Sequence, residues 1–227
     1  IWRDDDEVVI QYLTDGKQNI ERFEYLLAAT GRKPNIETLD LFRTSLQLDS
    51  NGVPVFDPLT MQCGNSHIFI AGDINNDLTL LHEAADEGKI AGENAATFPH
   101  VSRGVRRSML SVVFTDPQIA VLGETWEDLY NSKPFVTGRV SFESQGRSRV
   151  MLKNKGLLHV YADPITKRFL GAEIFGPDAE HLSHLLAWSH QQAMTIPQIL
   201  EMPFYHPVVE EGLRTALRDA DSKLMND

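Results

Sequence analysis

Cysteine is almost absent from this sequence, which has 227 residues and a single thiol at Cys63. One cysteine cannot form an intrachain disulfide, a cysteine-pair redox centre or a multi-cysteine zinc site. Long apolar runs are also absent, since no stretch reaches the length of about 18 residues that indicates a transmembrane helix. The first residues, IWRDDDEVV, lack the pattern of a signal peptide. A cytoplasmic protein that does not bind a membrane is therefore expected.

Positive charge is scarce as well. Lys and Arg total 21 against 32 Asp and Glu, which gives a formal net charge of -11. The composition therefore predicts neither a nucleic-acid partner nor binding to an anionic membrane surface. The densest basic stretch contains Arg139, Arg147, Arg149, Lys153 and Lys155. Its alternation with other residues favours the solvated face of strands over a site for an acidic partner.

Two segments of different character meet near residue 100. The junction, FPHVSRGVRR, has the Pro and Gly content of an exposed linker, and we place the boundary near Gly104. The elements predicted before it are strands flanking an Asp15-Gly16 turn, an apolar strand at 25–29, a strand-turn-strand around Asn51-Gly52, a buried parallel strand at 68–71 and a helix at 78–96.

The second segment is predicted to be an α+β domain with an antiparallel sheet and helices, because its strand patterns precede most of its helical ones. The strand patterns lie at 112–117, 135–142, 149–163 and 169–176. The helical patterns lie at 125–130, 178–194, 196–202 and 208–224.

Asp73 is the first candidate for chemistry. It follows the apolar run IFIAG, and ligands of α/β sheets bind outside the carboxyl ends of strands, where a carboxylate accepts hydrogen bonds from hydroxyl groups. The alternative is a turn Asp that caps the next helix. The motif ATGRKP lies about 40 residues earlier in the chain, and its Gly31 would let the backbone approach a ligand closely.

In their order and spacing, these motifs resemble a known family. LLAATGRKPN, IFIAGD and LLHEAADEG in the first segment, with VVFTDPQIAVLG, FLGAEIFGPDAEHL and FYHPVVEEGLRTALRDA in the second, are similar to the pyridine nucleotide-disulfide oxidoreductases. Within that family the likeness is greatest to the dihydrolipoamide dehydrogenases. It implies the end of an NAD(P)-binding domain at 1–30, the closing α/β part of an FAD-binding domain at 31–103 and an interface (dimerisation) domain at 104–227.

The resemblance also implies roles for individual residues. His206 and Glu211 would be an acid/base pair that acts on a dithiol, with a cis His206-Pro207 bond. Asp73 would bind the ribityl hydroxyls of FAD beside Gly72 and Gly31. Leu80 and Leu81 would present backbone N–H groups to the flavin ring, although this chain has Thr-Leu-Leu-His where Met-Leu-Ala-His is common in the family.

A simpler interpretation of His206 stays open. His206 is also typical of a turn before a helix whose early glutamates, Glu210 and Glu211, favour the helix dipole.

No metal site is expected on the predicted helix that carries His181, His184 and His190. Their separations of three and six residues do not give the spacing of a zinc helix.

Two motifs of the family are missing from the sequence: a Cys-x-x-x-x-Cys pair and a Gly-x-Gly-x-x-Gly turn. We therefore expect the C-terminal half of a longer FAD- and NAD- or NADP-dependent enzyme, inactive by itself and with little affinity for FAD.

The partners expected for the longer enzyme are a second copy, joined through an apolar helix surface around Leu185, Leu186 and Trp188, a small dithiol or lipoyl substrate, and a 2-oxo acid dehydrogenase complex. A non-catalytic dimerisation module is an alternative. A related flavoprotein, such as a soluble transhydrogenase or a mercuric or glutathione-type reductase, is another.

Overall fold

The computed structural model describes residues 1–225, so Asn226 and Asp227, the end of the predicted interface domain, lie outside the described residues. The chain begins with an antiparallel sheet of three strands, β1 (Trp2–Asp4), β2 (Glu7–Thr14) and β3 (Lys17–Phe23). Asp15 and Gly16 both have positive φ and form the turn between β2 and β3, as the Asp-Gly pair predicts. Val9 is the buried side chain of these strands.

The apolar strand predicted at 25–29 is wrong. This stretch forms no regular structure, and Tyr25 is 87% exposed. Within residues 1–225 it pairs with no strand, so its backbone groups are left to water instead of a sheet. An apolar run becomes a strand only where a neighbour supplies the ladder of hydrogen bonds.

The parallel strand predicted at 68–71 is also wrong, although the run is partly buried. Phe69 forms a single antiparallel bridge with Gln62, and the Ile70 N–H donates to Met61 O at 3.0 Å. Ile70 packs in a small apolar cluster with Ile36, Val53 and Cys63. The predicted Asn51-Gly52 turn is present, with Gly52 at φ +80°.

The helix predicted at 78–96 is confirmed as α1 (Leu81–Thr97). The stretch after α1, predicted to be an exposed linker, is hydrogen-bonded to the first segment. The Ser102 N–H donates to Asn94 Oδ1 at 2.9 Å, and the Gly104 N–H donates to Leu59 O at 2.7 Å. A Cβ on Gly104 would lie 2.4 Å from Ile90, so glycine allows this stretch to pass close to α1.

The second segment has the predicted α+β architecture. Its five strands form an antiparallel sheet in the order β4-β5-β8-β7-β6, with helices packed against it. In chain order the elements are β4 (Leu110–Val113), β5 (Gln118–Gly123), α2 (Trp126–Ser132), β6 (Val136–Ser141), α3 (Gly146–Val150), β7 (Leu157–Ala162), β8 (Phe169–Gly176), α4 (Ala179–Gln191), α5 (Ile196–Leu200) and α6 (Glu211–Leu224). Among residues 1–225, no helix combines the length and apolar character needed to cross a membrane.

The strand predicted at 149–163 is correct only in its second half. The Gln145 side chain accepts a hydrogen bond from the Ser148 N–H at 2.6 Å and caps α3, so the chain turns into a short helix before β7. Local capping therefore overrides the alternating pattern that favoured a strand here.

The main core lies between the sheet and helices α4 and α6. Leu186 of α4 belongs to this core and is 1% exposed, which corrects its predicted place on an outer apolar surface. Gly138 of β6 lies directly beneath α6, where a Cβ would be 2.1 Å from Ala216 O and 2.7 Å from Ala220 Cβ. This close approach fixes the height of α6 above the sheet.

Gly138→Ala is therefore expected to destabilise the protein by about 2 kcal/mol or more, because an added methyl group must push α6 away from the sheet. The free energy of unfolding from urea titration measures the change. Gly146→Ala is the matched control, since no atom lies within 4 Å of a Cβ at that position. Equal stability of the two variants would contradict the packing described here.

Candidate functional site

His206 lies just before α6, and its peptide bond to Pro207 is cis, as expected. Its Nδ1 atom is 3.0 Å from both carboxylate oxygens of Glu211, the first residue of α6. The His206 side chain is 80% exposed, whereas that of Glu211 is mostly covered. The ring is therefore exposed to solvent, and the Glu211 carboxylate binds it at Nδ1.

Glu211 is fixed by further contacts. Arg214 Nη2 lies 3.1 Å from Glu211 Oε1, and the Val208 N–H approaches Oε2 at 3.4 Å. The hydrogen bond with His206 is the main cause that lowers the pKa of Glu211, and Val208 and Arg214 lower it further. The carboxylate consequently stays ionised at neutral pH and can stabilise a positive charge on the ring.

Two supporting residues were missed by the sequence interpretation. Arg214 is three residues after Glu211, a spacing that pairs charges on a helix and could have revealed it. Gln145 donates from Nε2 to Val208 O at 2.8 Å, although 63 residues separate the two. No local sequence signal indicates such a contact.

This arrangement is suited to moving a proton. When Nδ1 donates to Glu211, the neutral ring carries its free lone pair on Nε2. Among residues 1–225, Nε2 has no hydrogen-bond partner. A histidine positioned in this way can take a proton from a thiol that approaches Nε2, as the histidine of a catalytic triad does from its nucleophile.

The motifs around Gly31 and Asp73 meet at a second place in the structure. Arg32 Nη1 lies 3.7 Å from Asp73 Oδ2, and both side chains are exposed. A cavity of about 210 Å³ between them is lined by Pro34, Asn35 and Thr79, among others. Gly31 itself, at φ +130°, has no atom within 4 Å of the position of a Cβ.

Leu80 and Leu81 lie at the start of α1, next to this cavity's Thr79. The Leu80 N–H already donates to Leu78 O at 2.8 Å. Leu81 is the first helical residue, and N–H groups of a first turn lack partners within the helix. Of the two predicted backbone donors, Leu81 is thus the better placed to bind a ligand.

A buried ionic network, which the sequence interpretation did not include, holds the Asp73 loop. Glu87 Oε2 accepts from the Gly72 N–H and from Asn75 Nδ2, each at 2.7 Å. Arg106 Nη2 in turn lies 2.8 Å from Glu83 Oε2 and 2.9 Å from Glu87 Oε1. The two glutamates are buried, so Arg106 neutralises charge that water cannot reach.

The first-segment residues fit part of a flavin dinucleotide. Asp73 offers carboxylate oxygens to hydroxyl groups, and the start of α1 offers N–H groups to an acceptor. However, a cavity of about 210 Å³ is smaller than the roughly 300–1,000 Å³ of a complete ligand site. A cavity of this size would hold only part of a flavin dinucleotide.

The three histidines of α4 do not converge. His181 and His184 are exposed, whereas His190 is partly buried and its Nδ1 lies 2.7 Å from Ser108 Oγ. Burial is the main cause that lowers the pKa of His190. Residues 1–225 contain no group of three or more His, Cys, Asp or Glu side chains arranged to hold a metal ion.

Comparison with known proteins connects both places to one family. The model described as "Pyridine nucleotide-disulphide oxidoreductase" matches residues 2–88, and that described as its dimerisation domain matches residues 109–217. The chain belongs to the pyridine nucleotide-disulphide oxidoreductase family. Its fold, part of a nucleotide-binding region followed by a dimerisation domain, is that of the family.

The chain is similar to longer curated proteins. Dihydrolipoyl dehydrogenase from Haloferax volcanii is 30% identical over an alignment of 224 positions, which covers 96% of this chain and 46% of the relative. Soluble pyridine nucleotide transhydrogenase from Photorhabdus laumondii is 28% identical, over 96% of this chain and 47% of the relative. The chain spans about half the length of the curated relatives it matches.

A solved structure shows the same fold. The HOCl-induced flavoprotein disulfide reductase RclA from Escherichia coli, as its Cu(II) complex, superposes with a TM-score of 0.73 at 21% identity. The superposition covers 96% of this chain and 48% of RclA.

Arg106→Leu is expected to destabilise this chain by about 3 kcal/mol or more, because it leaves Glu83 and Glu87 buried without a cation. Urea unfolding measures the loss. Arg107→Leu is the matched control: Arg107 pairs with Asp86 but is itself exposed, so its removal should barely move the midpoint. An Arg106 variant as stable as the Arg107 variant would contradict the role given to the network.

Proposed function

We propose that this chain is the C-terminal half of an FAD- and NAD(P)-dependent oxidoreductase that moves electrons between a dithiol or disulfide and NAD(P), as a dihydrolipoyl dehydrogenase does. The observation that carries the proposal is the His206–Glu211 pair, with Nδ1 held at 3.0 Å from both carboxylate oxygens and Nε2 open to solvent. The similarity to dihydrolipoyl dehydrogenase supports it.

The proposed reaction requires a base of this kind. Oxidation of a dithiol to a disulfide releases two electrons and two protons, of which NAD(P)⁺ accepts both electrons and one proton. The remaining proton has to leave, and a thiol must lose its proton before it attacks a disulfide. His206 would accept that proton at Nε2, while Glu211 stabilises the imidazolium that results. His206 would then release the proton to solvent, to which its side chain is open.

The first segment would hold part of the FAD. Asp73 would bind ribityl hydroxyls, and Gly72 and Gly31 would let the backbone approach. Leu81, with Leu80 beside it, would donate its own backbone N–H near the ring. FAD, when bound, supplies the two-electron relay between NAD(P) and the dithiol. The proposed domains remain 1–30 for the end of the NAD(P)-binding domain, 31–103 for the FAD-binding part and 104–227 for the interface domain.

The proposed enzyme is a homodimer, in which His206 would act on the disulfide of the other subunit. The match to a dimerisation domain supports this assembly. Trp188 of α4 is 65% exposed beside an apolar groove of about 550 Å³, to which Leu185, Met202 and Tyr205 also contribute. Exposed aromatic side chains next to a groove are typical of the centre of a protein interface.

A soluble transhydrogenase is the second candidate, favoured by the similarity to that enzyme in Photorhabdus laumondii. A transhydrogenase passes electrons between two pyridine nucleotides and needs no thiol base. Dependence of a dithiol reaction on His206 therefore separates the two candidates.

His206→Ala in the flavin-containing longer protein is expected to lower dihydrolipoamide oxidation by about 10²- to 10⁴-fold, because the base is lost. Flavin content, read from the visible absorption spectrum, should stay normal, since His206 lies on the second segment. His100→Ala, a change at another exposed histidine, should leave the rate unaltered. An unchanged rate in the His206 variant, with dihydrolipoamide as the electron donor, would overturn the proposed role.

Trp188→Glu should weaken self-association by about tenfold or more, because it places a charge at the centre of the proposed contact. Size-exclusion chromatography with light scattering over a concentration series gives the dissociation constant. Trp126→Glu is the matched control. Trp126 is also exposed, but it stacks on Tyr130 of α2, so this change should leave the dimer intact. A strictly monomeric unmodified chain at high concentration would count against the assembly.

A further inference from the structure

A short projection between β6 and β7 carries a dense positive charge. We name residues 147–155 the basic knob. The sequence pattern favoured the solvated face of strands here, but the first half of the knob belongs to α3, which ends at Val150. Its exposed side chains are Arg147, Arg149, Val150, Leu152, Lys153 and Lys155.

In the part of the chain that the structure describes, the four cations of the knob form no ion pairs. Within residues 1–225, none of them lies within 4.0 Å of a carboxylate oxygen, whereas Arg106, Arg107 and Arg214 all form ion pairs. Asp116 and Asp178 face Leu152, Lys153 and Lys155 across a cavity of about 360 Å³ without pairing with them.

The charge of the knob runs against that of the chain. In a protein of net charge -11, four cations that form no ion pair with residues 1–225 lie within nine residues and create a local patch of positive charge. Neither Arg147 nor Arg149 lines the cavity that contains Asp116 and Asp178.

Leu152 is presented at an unfavourable backbone position. It has φ +58° and is 89% exposed. The Lys153 N–H donates to Ser148 O at 2.9 Å and the Leu152 N–H donates to Arg149 O at 3.1 Å, which is the hydrogen-bond pattern of a Schellman helix end. Glycine normally occupies that position, because any side chain there strains the backbone. Here the position is occupied by a leucine, which is largely exposed to solvent.

The structure also holds the knob rigidly. Ser148 is buried, Met151 packs against the main core, and the Gln145 side chain joins the base of α3 to Val208 O. A rigid base lowers the entropy cost of binding, since the exposed side chains already have a fixed framework.

We propose that the basic knob is a docking surface for an acidic segment of another protein, in which carboxylates bind Arg147, Arg149, Lys153 and Lys155 and an apolar side chain covers Leu152 and Val150. This proposal does not depend on the redox function proposed above. Charge complementarity identifies the occupant, because the knob is cationic on an otherwise acidic chain.

An anionic membrane fits the knob less well. Membrane-surface elements combine a basic face with a long apolar face, whereas the knob exposes two apolar side chains on a short helix end. The net charge of -11 also repels an anionic surface once the rest of the chain approaches it. A peptide can bind the knob without meeting the rest of the surface.

The test is fluorescence anisotropy of a labelled short peptide of alternating glutamate and leucine, titrated with the 227-residue chain. We expect saturable binding that weakens with salt, and at least about tenfold weaker binding of a peptide with glutamine in place of glutamate. The variant R147Q/R149Q/K153Q/K155Q should bind the acidic peptide at least about tenfold more weakly than the unmodified chain. The matched control K17Q/K89Q/R103Q/R218Q removes the same charge from exposed positions elsewhere and should bind as the unmodified chain does.

Leu152→Gly separates docking from folding. Glycine relieves the positive φ, so the unfolding temperature should be unchanged or higher, while peptide affinity falls. The proposal is overturned if the unmodified chain does not bind the acidic peptide or binds the glutamine peptide equally. It is also overturned if both charge variants lose the same affinity, if Leu152→Gly leaves affinity unchanged, or if the chain binds phosphatidylserine vesicles more tightly than the peptide.

Discussion

The close contact between α6 and the antiparallel sheet determines the geometry of the second segment. Two glycines make it possible: a Cβ on Gly138 of β6 would meet Ala216 O, and a Cβ on Gly212 of α6 would lie 3.1 Å from the Phe142 ring. Glu211 is the first residue of α6. The position of the helix therefore sets the position of the carboxylate, and the carboxylate sets the orientation of His206.

In the first segment, buried charges instead of close packing hold the candidate residue in place. Buried Glu87 binds the Gly72 N–H and Asn75, and Arg106 compensates its charge from the stretch that leads into the sheet. The loop that carries Asp73 is thus tied to the junction of the two segments. In both segments an exposed candidate residue, His206 or Asp73, is held by groups that are largely buried. The residue can therefore meet a ligand without losing its orientation.

Local sequence patterns correctly predicted most of the helices of the second segment and the strand that is largely buried on both faces of the sheet. The run at 169–176 is β8 with the same bounds, and the helical patterns before and after it correspond to α2, α4, α5 and α6. The strands predicted at 25–29 and 68–71 failed, because an apolar run does not reveal whether a partner strand lies beside it.

The candidate site shows the same limit. Asp73 and Gly31 come from short motifs, whereas the roles of His206 and Glu211 come from the family resemblance. The structure places His206 against Glu211, and Arg32, the neighbour of Gly31, beside Asp73. Gln145, which binds Val208 O, and Arg106, which joins Glu83 and Glu87, act over long sequence separations. Their roles depend on tertiary packing, and no spacing along the chain could have indicated them.

The most direct test of this account is the protonation state of one ring. Nitrogen NMR of the chain labelled with ¹⁵N at histidine, with His206→Ala to assign the signals, reports which nitrogen of the neutral ring carries the proton. The account predicts a proton on Nδ1, held by Glu211, with an unprotonated Nε2 available as the base, and loss of this preference in Glu211→Ala. A neutral His206 ring with its proton on Nε2, or the same state in both proteins, would contradict it.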